Sequence, residues 1–75
     1  MSEQQESTGV VQSFDPDHGT GEMMDNTLEE VIPFTRGDMV EGQEDPVEGD
    51  HAEYLLIKDK DKGTIRIKHV VIVKK

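Results

Sequence analysis

Thr64–Val73 places Ile65, Ile67, Val70, Val71, Ile72 and Val73 within ten consecutive residues. β-branched side chains lose rotamer freedom in a helix and pack well on a pleated surface, so this stretch specifies a strand. Ile65 and Ile67 share a face while Arg66 and Lys68 point away, the alternation of a sheet with one wet side. After His69 the alternation becomes a continuous apolar run. A bulge near Lys68–His69, or burial on both faces, accounts for the change. Upstream, His51–Lys58 also alternates: Ala52, Tyr54 and Leu56 lie on one face, Glu53, Leu55 and Ile57 on the other. The polar turn Asp59-Lys60-Asp61-Lys62-Gly63 joins the two runs, so the last third of the chain is a hairpin.

The rest of the chain has no long helical period and no internal repeat. Gly9–Phe14 has strand character and ends at Asp15-Pro16-Asp17-His18-Gly19, a strong turn signal. Thr20–Met24 returns as a second strand, its two glycines suggesting a bend or bulge. Glu30–Phe34 is a short third strand, and Pro33 places it at a sheet edge or strand end. An acidic connection runs from Gly37 to Gly49. Met1–Ser7 is polar, with nothing to bury, and reads as a disordered tail. The expectation is an all-β chain with a tail over residues 1–7 and one small five-stranded barrel over 8–75. Closure matters, because an open sheet this apolar leaves edges ready to pair with another chain.

Charge is unevenly placed. Residues 1–50 hold fourteen Asp and Glu against Arg36 alone, a net of −13, whereas residues 51–75 hold three acids and seven bases, a net of +4. Such a split makes either a solvated acidic face beside a basic hairpin or a charge-selective binding surface. Seventy-five residues without cysteine form neither a disulfide nor a thiolate site. MSEQQEST lacks the apolar core of a signal peptide, and no apolar run nears the roughly 20 residues that span a bilayer. A cytoplasmic protein that does not engage membranes is expected. His18, His51 and His69 are too scattered to specify a metal site. Asp15-Pro16-Asp17 lacks the downstream ligands of a calcium loop, and Asp59–Gly63 has lysines between its acids. Ser2, Ser7 and Ser13 carry no nucleophile motif, and Gly19-Thr20-Gly21 opens no helix for a phosphate loop. No enzyme activity, cofactor or metal is expected.

The order of the strands and turns resembles one family. Gly9-Val10-Val11-Gln12-Ser13-Phe14-Asp15-Pro16-Asp17-His18-Gly19-Thr20-Gly21-Glu22-Met23 is similar to the opening of the cold-shock domain, roughly G-x-V-K-W-F-N-x-x-K-G-F-G-F-I. Val31-Ile32-Pro33-Phe34-Thr35 resembles that family's third strand, roughly F-V-H-F-S, and the acidic connection and final hairpin follow in order. The resemblance spans about residues 8–74. It implies a five-stranded antiparallel Greek-key barrel of the OB type that binds single-stranded RNA or DNA.

The departures fall on the surface where that family stacks bases. Its tryptophan position is Ser13, and the two phenylalanine positions beside Gly21 are Thr20 and Glu22. In the third strand the phenylalanine position is Val31 and the histidine position Pro33; the basic positions of the first strand and its turn are Gln12 and His18. Stacking is worth about 1–3 kcal/mol per base. Losing three or four platforms removes up to about 12 kcal/mol, against about 8 kcal/mol for a micromolar complex. Phe14, His18, Phe34, Lys58 and Lys60 are what remains for contact with nucleic acid. Phe14 and Phe34 also suit hydrophobic cover, and the lysines a solvated hairpin. Two functions follow as expectations: a divergent cold-shock-like protein whose binding to single-stranded nucleic acid is weakened or lost, or an interaction module for a basic protein surface or a second copy of the chain.

Overall fold

A computed structural model describes residues 2–73, and Met1, Lys74 and Lys75 lie outside it. Five strands follow in order: β1 (Ser2–Asp15), β2 (Thr20–Asp25), β3 (Val31–Thr35), β4 (His51–Asp59) and β5 (Thr64–Val73). A single 3-10 turn, Arg36–Asp38, follows β3. All neighbouring strands are antiparallel, in the spatial order β3-β2-β1-β4-β5. The sheet curls into a half-barrel consistent with an OB-like barrel, as the strand pattern led us to expect.

The strand β1 is shared by both halves. Its first nine residues pair with β4, from Ser2↔Asp59 to Val10↔His51, and its second half pairs with β2, from Gly9↔Asp25 to Asp15↔Thr20. Residues 2–7, expected to belong to a disordered tail, are instead the first part of β1, and Met1 lies outside the described residues. The segment is polar because Glu3–Glu6 are exposed, and its order comes from backbone bonds to β4. A strand held this way needs no apolar alternation of its own.

Two bulges bend the sheet. On β1, Val11↔Met23 and Ser13↔Glu22 leave Gln12 as an extra residue. The glycines of β2 had suggested an irregularity here, and the extra residue sits on the partner strand. On β5, Glu53↔Val71 and Leu55↔Lys68 leave an extra residue at His69–Val70, and His69 has φ 56. The lost alternation after His69 is therefore a bulge.

Val11, Met23, Ile32, Phe34, Ala52, Tyr54, Leu56, Ile67 and Val70 form one buried core, drawn from all five strands. At one end of it sits Asp25, fully buried. Its carboxylate accepts bonds from Ser7 Oγ (2.7 Å), the Tyr54 hydroxyl (2.7 Å) and the backbone N–H groups of Thr27 and Leu28 (both 2.8 Å). Desolvation alone would push this carboxyl up, but the donors together hold it below its ordinary value. A buried charge is tolerable when it is bonded this fully.

Connection 39–50 closes the outer side of β5. Met39 bridges Val70 in parallel, and Val40 N–H donates to Val70 O. Gln43 extends this contact with its side-chain amide: Nε2 donates to Val70 O (2.7 Å) and Oε1 accepts from Ile72 N–H (2.7 Å).

Candidate functional site

Registers across β1, β2 and β3 put every position singled out for base stacking on one face. One cross-strand row is Ser13–Glu22–Pro33, a second is Asp15–Thr20–Thr35, and all six side chains are exposed. Val10–Met24–Val31 makes a third row, with Val31 exposed. The Ser13 hydroxyl points at the Glu22 carboxylate (3.4 Å). Ser13, Thr20, Glu22 and Val31 are thus neighbours in rows that hold two carboxylates and no aromatic ring.

The two phenylalanines lie on the opposite side of the same strands. Phe14 and Phe34 are stacked on each other, with centroids 5.9 Å apart and planes 27° apart. Phe34 is buried in the core, and Phe14 is half-buried against it. Between them in register is Gly21, where a Cβ would lie 2.9 Å from Phe14 Cδ1 and 3.0 Å from Phe34 Cε1. The glycine makes room for the ring pair. Arg36 lies over Phe14, its Cζ 5.7 Å from the ring centroid, in cation–π contact. It is held by Asp45 (Nε to Oδ1 2.9 Å, a second nitrogen to Oδ2 3.0 Å) and by Pro16 O (2.9 Å). The pair of rings is therefore covered from inside by the core and from outside by a fixed guanidinium.

The remaining candidates do not join them. His18 Nδ1 is 2.6 Å from Asp15 Oδ2 within the first turn, with both side chains largely exposed. Lys58 pairs in register with Glu3, at the far end of β1 from Phe14. Lys60 makes an exposed ion pair with Glu3 (2.8 Å). Arg66 and Lys68 point outward on β5, and Lys74 and Lys75 lie outside the described residues. The structure thus separates a ring pair near the first turn from a basic hairpin at the opposite end.

Three residues of structural weight escaped the sequence reading: Asp25, Arg36 and Gln43. The contacts that give them this weight reach partners 9 to 29 residues away, beyond what local spacing marks. Among the described residues no group of three His, Cys, Asp or Glu side chains is placed to hold a metal ion, and no helix is long and apolar enough to cross a membrane. No family model matches the chain, and no curated protein matches it.

Proposed function

We propose that the chain is a binding protein on an OB-like barrel, in which the face used for base stacking by the cold-shock family has become an acidic docking face for a basic protein surface. One observation carries this reading. The three outward rows of β1–β2–β3 bring Asp15 and Glu22 together with Ser13, Thr20, Pro33 and Val31, and the phenylalanines sit on the inner side. Bases need flat rings to stack on, and phosphates are repelled by exposed carboxylates. A cationic protein surface gains from the same charges, chiefly in association rate and specificity.

The test is an affinity capture with the wild-type chain and a Glu22→Lys variant, each with and without nuclease. The expected result is a protein partner retained after nuclease and lost with the variant. Capture abolished by nuclease overturns the reading. A second reading keeps single-stranded nucleic acid as ligand and moves it to the outer face of β5, favoured by Arg66 and Lys68, which have no carboxylate partner among the described residues. It predicts binding that weakens steeply with salt and is lost when both residues are changed to Gln.

A further inference from the structure

Three strand edges are treated differently. The edge of β5 at Val70–Ile72 is occupied by Met39, Val40 and Gln43. The edge of β3 carries Pro33, which has no N–H to offer, and lies against β5. The edge of β1 opposite β4 is bare from Ser2 to Glu6 among the described residues, because pairing with β2 starts only at Gly9. Asn26 closes it at Thr8, donating its backbone N–H to Thr8 O. A bare edge presents every second residue's N–H and C=O to an incoming strand.

Beside this edge is a hollow of about 600 Å³ on the outer face of β1–β4–β5. Leu55 and Val71 give it apolar walls, and the carboxylates of Glu6 and Glu53 stand on it. Registers Glu6↔Leu55 and Thr8↔Glu53 make those two acids diagonal neighbours. Neither has an ionic partner among the described residues, whereas Glu3 is neutralised by Lys60. The nearest cation in register, Lys68, lies across Leu55 on β5, two strands from the edge.

We propose that this edge docks an extended basic peptide by strand addition, with an arginine or lysine side chain crossing β1 into the hollow. The peptide backbone pairs with Ser2–Glu6. The aliphatic stem lies across β1, and the cationic head meets Glu6 and, diagonally beyond it on β4, Glu53. A second copy of the chain is a poor occupant: pairing Ser2–Glu6 antiparallel to itself sets Ser2 opposite Glu6 and Glu3 opposite Gln5, which brings no cation to Glu6 or Glu53, and each copy carries a net charge of −9. The surface is distinct from the Ser13–Glu22–Pro33 face, and its occupancy does not depend on the function proposed above.

The experiment is a low-salt NMR titration of the full chain with a capped heptapeptide alternating arginine and valine. The same peptide N-methylated at alternate residues keeps its charge and cannot pair along one edge. Expected are amide shifts confined to Glu3–Ser7, Glu53 and Leu55, slower exchange of β1 amides, and loss of binding on N-methylation. The Glu6→Gln/Glu53→Gln double variant should bind about tenfold more weakly while melting like the wild type. Equal binding of the N-methylated peptide, shifts centred on Ser13, Thr20 and Glu22, an unaffected double variant, or no binding would each overturn the proposal. So would sedimentation showing a dimer that shields β1.

Discussion

A Cβ on Gly9 would lie 2.5 Å from the hydroxyl oxygen of Tyr54 and 2.5 Å from Met24 O. Tyr54 reaches Asp25 through the space this glycine leaves, crossing β1 from β4 to the end of β2. Gly9→Ala must therefore displace both the backbone of β2 and the hydroxyl that bonds the buried carboxylate. The expected cost is about 2–3 kcal/mol, or at least about 10 °C in Tm for a chain of this size. Thermal melts followed by circular dichroism check it, and an unchanged Tm would remove the glycine from this role.

Tyr54→Phe leaves the packing and deletes one of four bonds to a buried charge. A bond to an ionised group is worth about 1.5–3 kcal/mol, and urea midpoints should fall accordingly. Asp25→Ala should cost more, because it orphans the Tyr54 and Ser7 hydroxyls and two backbone N–H groups together.

The same cluster contributes to both ends of the pH profile. Burial works against the Asp25 carboxylate, but its donors hold the folded-state pKa below the ordinary 3.8. Protons then bind the unfolded chain first, so the stability this group supplies is complete above the ordinary value and is lost as pH falls through the folded one. Tyr54 is shifted the other way, raised above its ordinary 10.0 first by burial and then by Asp25. Its contribution is complete below that ordinary value and is lost as pH rises beyond it. Urea midpoints measured across the pH range should show a plateau with both limbs. Asp25→Asn should flatten the acid limb, and Tyr54→Phe the alkaline one.

His69 occupies the left-handed region, with φ 56, at the β5 bulge. Glycine reaches that conformation without steric cost, and a β-branched residue does not. His69→Gly should match or exceed the wild-type Tm. His69→Val should lose about 1–2 kcal/mol, and equal stability of the two variants would contradict a bulge at this residue.

Rings can be placed on the outer face. Ser13, Thr20 and Glu22 are exposed and side by side in register. The combined Ser13→Trp, Thr20→Phe and Glu22→Phe variant should bind a short pyrimidine oligonucleotide at least about tenfold more tightly than wild type. A fluorescence or NMR titration measures it. An equal affinity would mean that these positions do not make a stacking surface.

Strands were legible wherever side chains alternate. His51–Lys58 and Thr64–Val73 declared themselves, and even the His69 bulge left a trace as lost alternation. Residues 2–7 did not, since their order rests on main-chain bonds to β4 and no periodic burial accompanies it. Asp25 read only as a turn residue. Its N–H acceptor role toward Thr27 and Leu28 is local, but the hydroxyls that make it a core residue come from Ser7 and Tyr54. The positions of the outer face came from the family resemblance, and cover was already a role that suited Phe14 and Phe34, whereas the seat of Arg36 over Phe14 depends on how the sheet curls.

Because Ser2 meets Asp59, the start of β1 is completed by a strand made much later in synthesis. A nascent chain holds half of β1 without its neighbour until β4 has emerged, so the barrel cannot assemble progressively from its beginning. Such distant pairing slows folding relative to a chain of local contacts, and a bulky fusion placed just ahead of Ser2 would burden the very strand that waits longest.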